Sequence, residues 1–492
     1  MLRKNTVTGS GCIAYKYKAV VIGSGPGGYV CALRLAQLGA KVAVVEKDKI
    51  GGVCTNTGCI PVKTLHASVK ILRDAKNSAK HGIKTGEITL DYGAMRKRAI
   101  DVSRLSAKGI EFLLKKNGVD LFLGKAKIRD RNTVEVCGSG GGTTLECENI
   151  VLATGSAPIE LPGLPYNGGN GSVKIISSET LLDMESLPES LVIVGGGYIG
   201  VEFAGIFRSL GCDITLVEMM DRILPGIDPE VVSIIHRSLT RDGIKILTGT
   251  KIDGLTSGGV IVGGNEIRAK HILVSVGRRP QFDKNELDAI GVKYARGITV
   301  DDRMRTTVNN VWAVGDAVGR YMLAHIASHE GIVTAENIMG HDRRMDYSAV
   351  PSCVFTFPEL GIVGNCDPSL KSGKFPFAAS GKARALGDTE GFIKVYLDSR
   401  ANGGMNGGAN RGMNSGADGV QNGNHIVNQT GEHIVGCAIV GPHASDLIGE
   451  ACLAVRNRIK LSDIYDTIHP HPVLSEAFAE SCLNACGKSL HC

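Results

Sequence analysis

No apolar run in this chain approaches the roughly 20 residues that a membrane-spanning helix needs, so no span is expected. Long runs of lysine and arginine are missing too. The 55 basic and 49 acidic residues leave a formal charge of only +6, which gives no reason to expect nucleic acid as a partner. Met1 to Lys18 lack the apolar centre of a secretory signal, and no acidic residue precedes Glu46. That basic, Ser/Thr-containing start fits either a short organelle-targeting segment or a disordered tail. The compartment expected is the cytoplasm in a prokaryote, or the mitochondrial matrix or plastid in a eukaryote. Fourteen cysteines scattered over 492 residues lack the density of a small disulfide-stapled secreted domain. Most are expected to be buried as small hydrophobes.

What is present points to several globular domains. The chain is too long for one core, so two to four domains are expected, and its 43% hydrophobic content is ordinary for a globular protein. Tyr17 to Ile22 is a short apolar run ending in Gly23-Ser24-Gly25-Pro26-Gly27-Gly28. A helical pattern follows from Tyr29 to Leu38, and Lys41 to Glu46 reads as the next strand. The pattern recurs about 170 residues later: Leu191 to Val194, then Gly195-Gly196-Gly197-Tyr198-Ile199-Gly200, a helix through Leu210, and a strand ending at Glu218. Each copy is a complete dinucleotide-binding fingerprint. Gly23 and Gly195 would make the tight turn, Gly25 and Gly197 would admit a pyrophosphate, and Gly28 and Gly200 would allow close helix packing. Glu46 and Glu218 each fall 18 residues past the third glycine, where a carboxylate can hold ribose hydroxyls. At the second copy Glu218 would repel a 2′-phosphate and so favour NAD over NADP. Met219 and Met220 add no positive charge there, although Arg222 is near.

After residue 350 the character changes to strands (Ser352 to Phe357, Phe392 to Leu397, His433 to Val440) and two helices, Asp446 to Arg456 and Leu474 to Cys486. This reads as a separate α+β domain. Within it, 401–431 is dominated by Gly and Asn, shows no hydrophobic period, and reads as a flexible surface insertion between two strands.

Two constellations carry chemistry. Cys54 and Cys59 lie in Gly51-Gly52-Val53-Cys54-Thr55-Asn56-Thr57-Gly58-Cys59-Ile60-Pro61-Val62-Lys63, leading into a helix. Two cysteines at this spacing can form a small reducible ring, and a helix N-terminus favours a thiolate. A structural disulfide or two buried thiols fits the spacing as well. Lys63, one turn past Cys59, would share its helix face. The second constellation is His469-Pro470-His471-Pro472-Val473-Leu474-Ser475-Glu476, in which a histidine and a carboxylate five residues later can form an oriented base. A surface turn with two histidines is the plain alternative.

Together the two fingerprints, the cysteine pair and the His-Pro segment resemble the flavin-dependent pyridine nucleotide–disulfide oxidoreductases. Within that family they are most similar to enzymes that oxidise protein-bound dihydrolipoyl groups. Ala153-Thr154-Gly155-Ser156, Val276-Gly277-Arg278-Arg279-Pro280, Gly315-Asp316-Ala317, Met322-Leu323-Ala324-His325 and Val350-Pro351-Ser352-Cys353 extend the resemblance from about Lys18 to the C-terminus. It implies an α/β protein with two Rossmann-like dinucleotide-binding domains and a C-terminal α+β dimerisation domain. The implied layout is an FAD domain over 1–155 and 276–349, an NAD domain over 156–275 and a dimerisation domain over 350–492. FAD is assigned to the first fingerprint and NAD to the second. Gly124, Thr154, Gly155, Asp316, Met322, Leu323, Ala324 and His325 would line the flavin site, and Gly277 the nicotinamide nucleotide. Lys63 and Glu202 look like the family's lysine–glutamate pair beside the flavin. Cys54 resembles the interchange thiol, Cys59 the flavin-facing thiolate, His471 the base and Glu476 its orienting carboxylate. The implied partners are a second copy of the chain and the lipoyl domains of 2-oxo acid dehydrogenase complexes or the glycine cleavage H protein.

Three departures from the family pattern are the Gly/Asn insertion, a shortened stretch between Gly364 and Lys374, and Val473 where threonine is usual; the last is expected to be tolerated. Cys482, Cys486 and Cys492 raise the alternative of a disulfide or mercuric reductase with a redox-active tail. Scattered buried thiols is the preferred reading. A non-catalytic flavoprotein subunit would be expected to lose Cys54, Cys59 or His471, and all three are present.

Overall fold

The apolar run around Tyr17 folds as β1 (Ala14–Ile22), an inner strand of the first sheet in a computed structural model that describes residues 14–138, 141–398 and 432–491. The Gly/Asn insertion at 401–431, most of the expected targeting segment and Cys492 lie outside the described residues. After β1 come α1 (Pro26–Gln37), β2 (Val42–Glu46), α2 (Gly52–Asn56), α3 (Cys59–Lys76) and α4 (Tyr92–Lys116). Then follow β3 (Asp120–Leu123), β4 (Lys125–Asp130), β5 (Thr133–Gly138) and β6 (Gly141–Leu152). The strand order is β3-β2-β1-β6-β5-β4, parallel from β3 through β6 and antiparallel beyond. Both faces of β1 and β2 are buried, as covered parallel strands require. Val20, Ile22, Ala43 and Val45 enter one core, while Ala19, Val21, Val42 and Val44 pack with Cys31 and Leu35 of α1 in another.

The second nucleotide module begins with β7 (Ser156–Pro158), β8 (Gly169–Asn170), β9 (Val173–Ile176) and α5 (Ser178–Asp183). It continues through β10 (Ser190–Val194), α6 (Tyr198–Ser209) and β11 (Asp213–Val217). The chain then passes through α7 (Pro229–Arg241) to β12 (Lys245–Leu247), β13 (Ile252–Leu255), β14 (Gly259–Val262), β15 (Asn265–Arg268) and β16 (His271–Val274). Its sheet runs β12-β11-β10-β16-β9-β8, with β13 to β15 forming a separate antiparallel sheet. β17 (Arg278–Pro280) pairs antiparallel with β7, so the two crossings between modules lie side by side. After α8 (Lys284–Ile290), β18 (Val311–Ala313) adds in parallel to β6, and α9 (Ala324–Ile338) follows.

The chain divides into two compact units, Met1–Pro225 with Leu239–Tyr347, and Gly226–Ser238 with Ser348–Cys492. The second unit holds β19 (Pro351–Val354), β20 (Glu359–Gly364), β21 (Lys371–Pro376), α10 (Gly381–Leu386), β22 (Phe392–Asp398) and β23 (His433–Gly441). It ends with α11 (Ala444–Arg456), α12 (Leu461–Tyr465) and α13 (Glu476–Ala485). Its antiparallel sheet runs β19-β20-β23-β22-β21. β19 is shorter than the sequence reading because the chain turns at Thr356, whose Oγ1 donates to Pro358 O, and Pro358 has no N–H for a ladder. The shortened stretch after Gly364 is a turn rather than a helix, held by Asp367 accepting from Ser369 N and Oγ at 2.9 and 2.7 Å.

Alternation along β22 sends Ile393, Val395 and Leu397 into the core with Ile448, Phe478 and Cys482. Lys394 and Tyr396 take the other face. Lys394 Nζ donates to Asp228 Oδ2 at 2.8 Å and Glu230 Oε2 at 2.9 Å, and the Tyr396 hydroxyl donates to Asp228 at 2.5 Å. Burial alone would raise the Asp228 carboxyl, but Lys394 and Tyr396 hold it below its ordinary value. Its stabilising contribution is therefore present above the ordinary carboxylate range and fades as pH falls through the lowered value. Lys394 is only 8% exposed and Asp228 3%. Removing Lys394 strands a buried carboxylate, which costs about 3 kcal/mol. Lys394→Ala should speed hydrogen exchange in Phe392–Asp398 by roughly 100-fold. Unchanged exchange in that strand would show the cluster to be energetically idle.

Candidate active site

Both fingerprints use the same geometry. Gly23 and Gly195 have φ of 103° and 108°, and a Cβ there would sit 2.3 Å from Ala153 O and 2.6 Å from Ser275 O. A Cβ at Gly28 or Gly200 would lie 2.0 or 1.9 Å from the first glycine's carbonyl oxygen, so neither position admits a side chain. Gly25 and Gly197 differ: a Cβ there meets nothing within 4 Å, leaving open space ahead of the first turns of α1 and α6. Such helix starts suit an anion.

Glu46 Oε2 accepts from Ser24 N and Oγ at 2.8 and 2.6 Å, and Oε1 from Asp48 N at 2.9 Å. Glu218 repeats this arrangement, with Oε2 accepting from Gly196 N at 2.6 Å and Oε1 from Met220 N at 2.8 Å. Each carboxylate thereby clamps its glycine loop, and each oxygen has capacity for a further donor such as a ribose hydroxyl. These residues fit a dinucleotide at each module. Arg222 is engaged by Asp221 at 3.2 Å.

The residues expected around a flavin gather on the ends of the first sheet and the crossings. Gly124 N donates to Glu46 O at 2.8 Å. The Thr154 hydroxyl donates to Gln281 O, and Gln281 N to Gly155 O at 2.9 Å. Gly277 follows β16, and its carbonyl accepts from Ile159 N at 3.1 Å. Asp316 sits in a short 3-10 turn, Gly315–Ala317. Met322 and Leu323 lead into α9, whose first residues are Ala324 and the exposed His325. Sequence reasoning did not single out Ser156, which donates to Asp316 Oδ2 at 2.5 Å, nor Arg278, whose Nε donates to Ser156 Oγ at 2.8 Å. Burial raises the Asp316 carboxyl, against the pull of Ser156 and Arg278. Glu330 was missed as well. It is 1% exposed, accepts from Gly315 N and the Tyr347 hydroxyl at 2.6 and 2.8 Å, and is pushed by burial to about 7. One buried glutamate among the polar residues of α9 gives no sequence signal.

Cys54 lies in α2 and Cys59 opens α3, joined by Thr57 and Gly58. Both are free thiols, and the Cys54 thiol shares a hydrogen bond with Cys59. That bond, helped by Lys63 and a backbone N–H, lowers Cys59 to about 7 despite its burial. The same bond and burial raise Cys54. Lys63 Nζ donates to Glu202 Oε2 and Oε1 at 2.8 and 3.1 Å, tying α3 to α6. In the second unit His471 Nδ1 lies 2.8 Å from Glu476 Oε1, and Glu476 Oε2 accepts from Val473 N at 2.8 Å. Partial burial works against ionisation of Glu476, but Val473 N–H and His471 hold its carboxyl below the ordinary value. With Nδ1 donating to the carboxylate, Nε2 is left as the accepting nitrogen of a ring that is 79% exposed.

A family model described as pyridine nucleotide-disulphide oxidoreductase matches residues 17–331, and the dimerisation domain of that family matches 423–482. The chain belongs to the pyridine nucleotide–disulphide oxidoreductase family. Its relatives include the dihydrolipoyl dehydrogenase of Chlamydia muridarum, 38% identical over 488 residues and covering 96% of this chain and 98% of that one. The dihydrolipoyl dehydrogenase of Geobacillus stearothermophilus is 38% identical over 498 residues, covering 98% of each. Among solved structures, LpdA of Mycobacterium tuberculosis superposes with a TM-score of 0.81 at 23% identity, covering 95% of this chain and 99% of that one, which shows the shared fold. As a pyridine nucleotide–disulphide oxidoreductase, the chain has the two Rossmann-like modules and the α+β unit of its family, and membership implies use of a flavin and a pyridine nucleotide. Among the described residues, no helix is long and apolar enough to cross a membrane.

In the reduced protein, alkylation of Cys59 should rise with pH around a midpoint near 7, as its lowered pKa requires. Cys54→Ala removes the hydrogen-bond donor and should move that midpoint up by about one unit or more. Peptide mass spectrometry across a pH series reads this directly, and an unmoved midpoint would assign the shift to Lys63 instead.

Proposed function

We propose that this chain is a homodimeric, FAD-containing, NAD-dependent dehydrogenase of protein-bound dihydrolipoyl groups, serving 2-oxo acid dehydrogenase or glycine cleavage complexes. The observation that carries the reading is the asymmetric thiol pair at the α2–α3 junction, in a chain that resembles dihydrolipoyl dehydrogenases over almost its whole length.

The chemistry starts from the oxidised pair. His471, oriented by Glu476 and reaching the cysteines of the other protomer, accepts a proton from one dihydrolipoyl thiol through Nε2. The resulting thiolate attacks Cys54 Sγ, breaking the Cys54–Cys59 bond and releasing Cys59 as thiolate. The second lipoyl sulfur, deprotonated in turn, attacks the sulfur bonded to Cys54. This forms the lipoyl disulfide and frees the Cys54 thiol. Two electrons and two protons have then left the substrate, and both electrons reside on the cysteine pair. Bound FAD would supply the two-electron relay that reoxidises this pair and reduces NAD to NADH. Cys59 holds the thiolate facing that relay, Lys63 places a cation beside it, and Glu202 keeps Lys63 in position.

The Glu218 carboxylate disfavours a 2′-phosphate and supports NAD over NADP, and Asp221 engages the nearest cation, Arg222. A reductase working through tail cysteines gains no support. Cys482 is fully buried in α13, and burial keeps it protonated.

Rapid mixing of the flavin-loaded dimer with dihydrolipoamide should give long-wavelength charge-transfer absorbance, followed by NADH formation once NAD is added. Cys59→Ser should abolish that absorbance, while Cys54→Ser should keep it. His471→Gln should slow dithiol oxidation by roughly 100- to 1000-fold. Absence of any dihydrolipoamide-dependent absorbance change would overturn the reading, and a band that survives in Cys59→Ser would reverse the two thiol roles.

A further inference from the structure

α3 carries two charged contacts to the second nucleotide module, and the mechanism above uses only one. Lys63 meets Glu202 of α6 near the helix start. Ten residues later, about 15 Å along the axis, Arg73 Nη1 donates to Asp242 Oδ2 at 2.7 Å and to Ser209 Oγ at 3.1 Å. Ser209 is the last residue of α6, and Asp242 lies in the turn entering β12. That turn is itself fixed. Arg208 Nε donates to Asp242 O at 2.8 Å, and Arg208 Nη1 reaches Cys212 O and Asp213 Oδ1, both at 3.1 Å. The Arg73 and Asp242 side chains are 25% and 20% exposed, so the pair is better shielded than an ordinary surface ion pair.

One contact between two bodies is a pivot. A second contact at a distance confines that rotation to the line joining the two. The planar guanidinium suits this task because it holds a carboxylate and a hydroxyl from a preorganised fork.

We propose that Arg73 is a positioning residue for the pyridine nucleotide step. By pinning Asp242 and Ser209 it fixes the orientation of the second module on α3, the helix that opens with Cys59 and carries Lys63. This rests on the function proposed above and separates its two half-reactions. Dithiol exchange takes place at Cys54, Cys59 and His471, none of them in the second module, and Arg73→Ala leaves their tie to it, Lys63–Glu202, in place. Exchange with NADH requires the second module to present its nicotinamide in a defined orientation, where small misplacements are costly.

The test uses the full-length, flavin-loaded dimer. Reduction of the flavin is followed by rapid mixing, once with dihydrolipoamide and once with NADH. In Arg73→Ala the NADH-driven rate should fall about tenfold, while the dihydrolipoamide-driven rate stays within about twofold. The charge-swapped double variant, Arg73→Asp with Asp242→Arg, should recover most of the NADH rate. Arg73→Lys, which keeps the charge, should fall less than Arg73→Ala and guards against simple misfolding, as does matching flavin content. Equal loss in both half-reactions, or no loss in the NADH arm, would overturn the proposal. If wild-type protein fails to react with dihydrolipoamide, the proposed function falls, yet the NADH arm still reads the effect of Arg73.

Discussion

Glu202 is a carboxylate only 7% exposed, in a helix whose neighbours Val201, Phe203, Ile206 and Phe207 are all buried. An unpaired charge in such surroundings would cost several kcal/mol. Lys63 removes that penalty by bringing α3 against α6, and the position of the cysteine pair follows from it. Cys59 is the first residue of α3, one turn before Lys63, so whatever fixes Lys63 also fixes the thiol. Glu202 stands two residues past Gly200, the last glycine of the second fingerprint. A single ion pair therefore couples Cys59 to the glycine loop of the other module.

The two modules solve one local problem in one way. A glycine loop that must come close to a dinucleotide cannot carry side chains to hold it, so its shape needs a fixed acceptor from outside. Glu46 and Glu218 provide it, each reaching back from a strand end to the N–H just after the first glycine, at Ser24 and at Gly196. The carboxylate proposed to hold the ribose is thus also the brace of the loop. The second module lacks a counterpart of the Ser24 hydroxyl, which gives the first brace an additional donor.

Such local devices were legible in the sequence because they are written in glycine spacing and strand periodicity, both confined to a few dozen residues. The β1–α1–β2 and β10–α6–β11 units and the His471–Glu476 spacing could be read for that reason. α2 was not read as a helix, since five residues around Cys54 carry no apolar period. Ser156, Arg278 and Glu330 were not assigned because their meaning depends on residues 160, 122 and 15 positions away respectively. The Lys394 cluster was hidden by the same distance. A lysine in an apolar strand reads as an edge residue until Asp228, 166 residues earlier, is found beside it. Arg73 likewise carries no sequence signal, since Asp242 lies 169 residues away.

The contrast between Cys54 and Cys59 owes more to the bond between them than to a generally positive site. Lys63 favours a thiolate at Cys59, and Glu202 opposes it from the same ion pair as the smaller of the two effects. The hydrogen bond between the thiols decides the matter. It stabilises charge on the acceptor and neutrality on the donor, so one contact drives the two groups in opposite directions. The proton belongs to the pair. A thiol lowered to about 7 holds substantial negative charge at neutral pH. The division of labour proposed for the two cysteines therefore requires no second positive charge. It requires only that the α2–α3 junction keep Cys54 as donor and Cys59 as acceptor, with the α3 N–H groups behind the acceptor.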